Sequence, residues 1–276
     1  MAPLPTVAAL LEAAQATVAR ADARVLLRHA LQRDAAWLIA HADDAVAAGD
    51  AEEFRALIAR RAAGAPVAYI TGVREFYGRS FAVTPAVLIP RPESELLVEL
   101  ALARLPAGKA SRVLDLGAGS GCVGVTIAAE RPQAQVVLVD VSNSALDVAR
   151  ANAAQWAPAN ATLLHSDWYA ALGDTRFDVI VSNPPYVAAS DVHLQQGDLR
   201  FEPRTALAAG ADGLRDLRQI IAHAPGHLGP GGWLLLEHGH DQAAACAQLL
   251  AAAGLKDLMV SPDLAGIARV SGGRSA

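Results

Sequence analysis

The stretch "SRVLDLGAGSGCVG", residues 111–124, combines a short apolar strand, a glycine-rich turn and the start of a helix. The helix is expected to run from Cys122 to about Arg131. The next segment repeats this order, with "AQVVLVD" (134–140) as a strand and "SNSALDVARANAAQW" (142–156) as a helix. Continuous apolar strands that alternate with amphipathic helices are typical of a parallel sheet covered on both faces. This part of the chain therefore predicts an α/β fold.

Three more strands are predicted in the same part of the chain: "ATLLHSD" (161–167), "FDVIVSN" (177–183) and "GGWLLLEHG" (231–239). In a parallel sheet of this kind, ligands bind beyond the carboxyl ends of the strands. The residues that follow the strands are therefore the candidate site. They are residues 115–121, Asp140, Asp167 with Trp168, and residues 183–186.

The chain changes pattern twice before this α/β part. Residues 1–72 carry amphipathic helix patterns without a polar constellation, which favours a small helical bundle, and its expected role is substrate recognition rather than catalysis. Residues 73–90 contain aromatic and β-branched residues with turn signals, which predict a β-hairpin linker. The α/β domain then covers residues 91–276.

The composition argues against several classes of protein. With 53% hydrophobic and 18% charged residues among 276, the chain can bury a sizeable core. A formal net charge of −5 argues against a broad nucleic-acid groove, so no direct binding of nucleic acid is expected. The longest uncharged apolar run, residues 242–255, is shorter than the ~20 residues of a membrane span. Without a signal-peptide pattern, a cytoplasmic protein is expected.

Neither the cysteines nor the histidines predict a metal site. The two cysteines form no C-x-x-C pair. His238 and His240 end a strand with a glycine between them. His223 and His227 are four residues apart, but Pro225 is expected to interrupt the helix that would align them. Both histidine pairs are expected to be structural.

The glycine-rich turn can be parsed in two ways. Gly119, Gly121 and Gly124 fit the G-x-G-x-x-G fingerprint of dinucleotide sites. Gly117, Gly119 and Gly121 instead fit G-x-G-x-G, with Asp115 just before them. A carboxylate at this turn would repel a pyrophosphate, whereas it would attract the sulfonium and amino groups of S-adenosylmethionine. The second parse is favoured, and NAD stays an alternative.

The two following strands end in side chains that suit an adenosine. Asp140 can accept hydrogen bonds from both ribose hydroxyls. Asp167 offers a further acceptor, and Trp168 offers a flat face for adenine. The remaining alternative is a tight strand–helix turn that binds no ligand.

The fourth strand is followed by Asn183, Pro184, Pro185 and Tyr186. The prolines have no N–H for a sheet ladder, and each restricts the residue before it to extended conformations. The side-chain oxygen of Asn183 and the backbone oxygen of Pro184 can therefore converge on one point. Two such acceptors suit a planar NH₂ group, and Tyr186 could pack against its flat face.

This arrangement predicts a chemistry. The nitrogen of a planar amide or amino group is a poor nucleophile, because its lone pair is delocalised. Holding both hydrogens in a suitable geometry directs the lone pair at an electrophile such as a methyl sulfonium. No strong base is required before the attack, since the proton becomes acidic once the nitrogen is methylated.

Taken together, these motifs resemble the class I S-adenosylmethionine-dependent methyltransferases, and more closely the HemK/PrmC family of protein-(glutamine-N5) methyltransferases. The resemblance covers about residues 66–270 and rests on six stretches. They are "PVAYITGVREFYG", "VLIPRPESELL", "HSDWYAAL", "IVSNPPYV", "HLQQGDLRFEPRTAL" and "LLLEHGHDQ".

The resemblance implies the function in detail. The substrate would be the glutamine of the Gly-Gly-Gln motif in class I peptide chain release factors, and the N-terminal helical domain would grip this partner. The fold would be a mostly parallel seven-stranded Rossmann-like sheet whose last strand is antiparallel. Substrate binding would fall to Asn183, Pro184, Pro185 and Tyr186, with catalysis assigned to Asn183, Pro184 and Tyr186. S-adenosylmethionine would contact Gly117, Ala118, Gly119, Ser120, Gly121, Asp140, Asp167, Trp168 and Asn183.

Two polar stretches remain open to two interpretations each. "RPESE" (91–95) either starts a helix or lines the site, and "LQQGDLRFEPR" (194–204) is either a solvated loop or a partner contact.

Three rival functions also remain. They are a methyltransferase of adenine N6 in DNA or guanine N2 in RNA, an NAD-dependent oxidoreductase, and a silent scaffold that binds the release factor.

Overall fold

The computed structural model describes residues 3–276, which divide into two compact units between Val73 and Arg74. Within the described part of the first unit, five helices form a bundle. They are α1 (Val7–Ala14), α2 (Arg20–Leu31), α3 (Ala35–Ala40), α4 (Ala48–Ala62) and α5 (Val67–Thr71). Leu26, Leu27 and Phe54 are buried at its centre, so this unit has its own core. The predicted N-terminal helical bundle is confirmed.

A β-hairpin lies at the boundary, with all of its residues but Val73 in the second unit. Strands β1 (Val73–Phe76) and β2 (Arg79–Ala82) pair with each other. Residues 83–90, the rest of the expected hairpin linker, contain no strand. The hairpin packs on helix α8 (Asn143–Trp156), where Asn152 bonds both the N–H and the carbonyl of Ala82.

Seven strands form the main sheet of this unit. They are β3 (Arg112–Leu116), β4 (Gln135–Asp140), β5 (Ala161–His165), β6 (Phe177–Ser182), β7 (Leu228–Glu237), β8 (Lys256–Pro262) and β9 (Ala268–Arg274). Their order is β5-β4-β3-β6-β7-β9-β8. The pairs from β5 to β7 are parallel, and β9 is antiparallel to both of its neighbours. The predicted sheet, with its antiparallel last strand, is confirmed.

Helices cover both faces of the sheet. The remaining ones are α6 (Glu95–Leu102), α7 (Cys122–Glu130), α9 (Arg215–His227) and α10 (Ala243–Ala252). Side chains of α6, α7 and α8 pack with Val113 and Val179 in one core, and those of α9 and α10 pack with Leu114 and Ile180 in the other. Neighbouring residues of a strand point to opposite faces, which explains why these strands are apolar throughout.

One expectation about α9 is wrong. The helix continues through Pro225 to His227 instead of stopping before the proline. Pro225 has no N–H to donate to the carbonyl of Ile221, so the helix lacks this one bond, and only its last turn lies beyond the proline. The ring of His227 stacks on Tyr169 with centroids 4.6 Å apart, which gives this histidine a packing role.

The chain order of the sheet reverses at β3, because β4 lies on one side of it and β6 on the other. In sheets of this class, a crevice opens at such a point beyond the carboxyl ends of the strands. The polar residues predicted from the strand ends therefore meet at one edge.

Candidate active site

A cavity of about 630 Å³ opens at this edge of the sheet, which we call the strand-end cavity. Its size lies within the range of small-molecule sites, roughly 300–1,000 Å³. Most of the predicted cofactor residues line it: Gly117, Ala118, Gly119, Ser120, Asp140, Asp167, Trp168 and Asn183. Pro185 also lines it, whereas Gly121, Pro184 and Tyr186 do not belong to its wall.

The turn between β3 and α7 follows the second parse of the glycine motif. Gly117, Gly119 and Gly121 have φ angles of +71°, +56° and +79°, in the left-handed region that favours glycine. Gly124 instead lies inside α7. A Cβ atom there would approach the carboxylate of Asp115 to 2.7 Å, so Gly124 serves close packing of helix against strand.

Asp140 is held by the backbone on both sides. The N–H of Gly119 donates to its Oδ2 at 2.9 Å, and the N–H of Ser142 donates to its Oδ1 at 2.8 Å. A carboxylate has about four acceptor positions, so each oxygen keeps capacity for a ligand. The glycine turn and Asp140 thus form one rigid unit whose free acceptors face the cavity.

Asp115 is buried at the base of the cavity, with 2% of its surface exposed. The N–H of Gly124 donates to its Oδ2 at 2.8 Å. Burial raises the pKa of Asp115 to about 7, a shift that the Gly124 hydrogen bond opposes and the nearby charge of Asp140 increases. A cation bound in the cavity would restore the charge of this carboxyl group.

Trp168 faces the glycine turn. Its backbone adopts a φ of +47°, and a Cβ atom on Gly117 would lie 3.2 Å from its ring. Asp167 and Val141 are both exposed, and both line the cavity. This end of the cavity combines a flat aromatic ring, an aliphatic side chain and a carboxylate.

Asn183 follows β6, on the side of β3 opposite to Asp140, and it marks the other end of the cavity. Its Nδ2 donates to Oγ of Ser94 at 3.0 Å, and that hydroxyl donates to Oε2 of Glu237 at 2.6 Å. The hydroxyl of Tyr186 donates to Oε1 of the same Glu237 at 3.3 Å. Pro184 is buried, and the convergence of its carbonyl with the Asn183 oxygen stays a prediction.

The backbone of Tyr186 is fixed from behind. Nε2 of Gln242 donates to its carbonyl at 3.0 Å, while Oε1 of Gln242 accepts from the N–H of Gly239. Gly213 lies against the same carbonyl with a φ of +73°, and a Cβ atom there would approach the oxygen to 2.3 Å. Only glycine fits this position.

The structure also shows where the two polar stretches with two interpretations each lie. Pro92 begins a short turn that leads into α6, and Arg91 and Ser94 line the cavity, so "RPESE" both starts the helix and lines the site. In "LQQGDLRFEPR", Glu202 is buried and accepts from the N–H of Ile89 at 3.0 Å and from the guanidinium of Arg91. Arg204 lines the cavity.

Sequence reasoning missed Glu237, Gln242 and Gly213 as parts of the site. Glu237 ends strand β7, which is the same signal that identified Asp140 and Asn183. The other two act on the backbone of a distant segment, and no local pattern indicates such a contact.

Family models and solved structures show the class of protein to which this fold belongs. Residues 93–201 match the family described as Methyltransferase small domain, and residues 4–72 match the PrmC N-terminal domain. A methyltransferase from Pyrococcus furiosus superposes with a TM-score of 0.55 at 19% identity over 80% of this chain and 98% of its own. The 16S rRNA N2 methyltransferase RsmC of T. thermophilus also gives 0.55, at 24% identity over 74% of this chain and 50% of its own. The chain therefore has the fold of the class I methyltransferases.

Curated relatives identify the family. The release factor glutamine methyltransferase of Xylella fastidiosa (strain Temecula1) is 51% identical over 98% of both chains. That of Burkholderia pseudomallei is 54% identical over 92% of this chain and 91% of its own, and that of Escherichia coli K12 is 44% identical over 92% of both. The chain belongs to the release factor glutamine methyltransferase family.

Residues 3–276 show neither a membrane-spanning helix nor a cluster of metal ligands. No helix in that range has the length and apolar character needed to cross a membrane. In the same range, histidine, cysteine and acidic side chains form no group of three that could hold a metal ion.

Proposed function

We propose that this protein transfers a methyl group from S-adenosylmethionine to the side-chain amide nitrogen of the glutamine in the Gly-Gly-Gln motif of class I peptide chain release factors. The observation that carries the proposal is the side-chain amide of Asn183, which lines the same cavity as the glycine turn and Asp140. The family of the chain agrees with it.

The donor groups of the cavity fit S-adenosylmethionine better than a dinucleotide. Two carboxylates, Asp115 and Asp140, adjoin the glycine turn, where a pyrophosphate would have to lie. The free acceptors of Asp140 suit ribose hydroxyls, and Trp168 with Val141 suits adenine. The buried carboxyl of Asp115 suits the cationic end of the molecule, either directly or through water.

Cofactor binding is accordingly assigned to the residues named from the sequence: Gly117, Ala118, Gly119, Ser120, Gly121, Asp140, Asp167, Trp168 and Asn183. Gly121 acts through the turn, since it lies outside the cavity wall. Substrate binding is assigned to Asn183, Pro184, Pro185 and Tyr186.

When bound, S-adenosylmethionine supplies a methyl group on a sulfonium, the electrophile of the reaction. Asn183 accepts one N–H of the substrate amide through Oδ1, and the carbonyl of Pro184 accepts the other. Both acceptors hold the amide plane so that the nitrogen lone pair faces the methyl group. The bond from nitrogen to the methyl carbon would form as the bond from that carbon to sulfur breaks, and the nitrogen would then lose one proton. Because this proton becomes acidic only after the methylation, no base is needed before the attack.

The helical N-terminal domain, residues 1–72, is proposed to recognise the release factor. It has its own hydrophobic core, yet it exposes the large apolar side chains of Ile39 and Val25. Replacing both by Asp in the full chain should raise the KM for the release factor and leave the Kd for S-adenosylmethionine unchanged. An unchanged KM would assign recognition elsewhere. Since its partner acts in translation, we place the enzyme in the cytoplasm.

The direct test incubates the purified protein with a release factor and methyl-labelled S-adenosylmethionine. Mass spectrometry of the Gly-Gly-Gln peptide should show one added methyl group on the glutamine. A release factor with this glutamine replaced by alanine should stay unlabelled. Labelling of DNA or RNA in place of the release factor would overturn the proposal.

A further inference from the structure

We infer that Ser94 and Glu237 are positioning residues that hold the side-chain amide of Asn183 in one of its two orientations, with its oxygen turned toward the substrate. This inference deepens the proposed function and depends on it. The three residues come from three segments: Ser94 from the turn before α6, Asn183 from the end of β6, and Glu237 from the end of β7.

The contacts form a chain of two hydrogen bonds. Oγ of Ser94 lies 2.6 Å from Oε2 of Glu237 and 3.0 Å from Nδ2 of Asn183. Ser94 is 2% exposed and Glu237 is 1% exposed, so bulk water does not compete for these groups. Ser94 also lines the strand-end cavity, which places its hydroxyl beside the reaction site.

The number of protons available determines which group donates in each of these two hydrogen bonds. An ionised carboxylate accepts hydrogen bonds only, so Ser94 must give its single proton to Glu237. The hydroxyl then offers only lone pairs to Asn183. The amide must therefore present its NH₂ group to Ser94, and its oxygen is left on the opposite side.

The orientation matters for the reaction. The proposed substrate presents an NH₂ group, which requires an acceptor. If the amide of Asn183 were rotated by half a turn, two NH₂ groups would face each other and the substrate would lose a hydrogen bond. The same Glu237 also accepts from the hydroxyl of Tyr186, so one buried carboxylate organises both ends of the 183–186 segment.

Protonation of Glu237 would weaken this control. Burial raises the pKa of Glu237 to about 7, and the hydrogen bonds from Ser94 and Tyr186 lower it. Of the charges around it, that of Glu93 raises its pKa and that of Arg269 lowers it. A protonated Glu237 can donate to Ser94, and the serine proton can then point at Asn183, which allows the rotated amide. Activity should fall as the pH falls through about 7.

The kinetic test compares Ser94→Ala with Ser94→Thr, which keeps the hydroxyl, and with Glu237→Gln. We expect Ser94→Ala to lower kcat on the release factor about tenfold, the effect of one hydrogen bond, while the Kd for S-adenosylmethionine stays within twofold. Ser94→Thr should recover most of this loss. In Glu237→Gln, kcat should fall and its decline below pH 7 should disappear.

A matched control removes another buried hydroxyl. Ser271 is fully buried and bonds Nε2 of His238 at 2.8 Å, outside the cavity wall. Ser271→Ala should leave kcat within twofold. An unchanged kcat in Ser94→Ala, or equal losses in Ser94→Ala and Ser271→Ala, would overturn the inference.

A spectroscopic arm separates this inference from the proposed function. In a ¹⁵N–¹H spectrum, the side-chain NH₂ pair of Asn183 is the pair that disappears in Asn183→Asp. We expect it to shift with the titration of Glu237 near pH 7 and to lose this shift in Ser94→Ala. If the chemical shifts of the Asn183 NH₂ pair did not change as Glu237 titrates, the inference would be overturned. Failure of the wild-type protein to methylate a release factor would instead overturn the proposed function.

Discussion

The two ends of the strand-end cavity are built in different ways. At one end, Asp140 is fixed by two backbone N–H groups, that of Gly119 in the turn between β3 and α7 and that of Ser142 two residues after Asp140. At the other end, Asn183 is fixed by the side chains of Ser94 and Glu237, which lie far away in sequence. Hydrogen bonds from the backbone are kept in most substitutions, whereas a hydrogen bond from a side chain is lost when that one residue is replaced. The end proposed to bind the cofactor should therefore respond separately from the end proposed to bind the substrate.

The largest effect should come from Asn183→Ala. It leaves one N–H of the substrate amide without its acceptor, which costs ~1–3 kcal/mol, or roughly 5- to 150-fold in kcat. The variant also loses the orientation of the substrate amide, so we expect the loss in kcat to lie at the upper end of this range. Single-turnover methyl transfer measures it, and the Kd for S-adenosylmethionine should change less than threefold. Wild-type turnover in this variant would remove the role of Asn183.

Asp140→Ala tests the other end of the cavity. Removing a charged acceptor that also supports the glycine turn should weaken S-adenosylmethionine binding roughly 10- to 100-fold. At saturating S-adenosylmethionine, kcat should recover to within a few fold of the wild type. Equilibrium titration and kcat measurements check both parts. If kcat at saturating S-adenosylmethionine fell by as large a factor as the affinity, the two ends of the cavity would not act separately.

A third prediction concerns pH at the cofactor end. Because Asp115 has a pKa of about 7, it is mostly ionised at pH 8 and mostly protonated at pH 6. The ionised form attracts a cation, so the affinity for S-adenosylmethionine should fall about tenfold from pH 8 to pH 6. Asp115→Asn removes this titration but keeps any titration of the ligand. A pH dependence that is equal in both proteins would exclude the role of Asp115.

The smallest effect concerns the backbone behind Tyr186. In Gly213→Ala, the new methyl group meets the Tyr186 carbonyl and the side-chain amide of Gln242, so the segment must shift. Overpacking of this kind costs ~1–3 kcal/mol of stability. We expect a lower Tm and a several-fold lower kcat with an unchanged Kd for S-adenosylmethionine. Gly226→Ala is the matched control, since nothing lies within 4 Å of its Cβ position.

The same contrast between the two ends explains which features of the structure could be predicted from the sequence. The strand pattern and the glycine spacing predicted an α/β fold with five strands and the cavity residues at one end, because those signals are local. The seven-stranded sheet with its antiparallel last strand was expected only from the family resemblance. At the other end, the sequence identified residues 183–186 but missed Glu237 and Gln242. Their roles arise only when the sheet brings distant strand ends together. The helix through Pro225 shows a second limit, because a proline marks a probable end of a helix and this one still ends only at His227.

Glu202 gives the cavity a property that no single wall has. Its buried carboxylate holds Ile89 and Arg91 on one segment of the rim while its own segment supplies Arg204 on another. The two segments, 113 residues apart at this contact, are thereby coupled. Loss of this one carboxylate would release both of them at once.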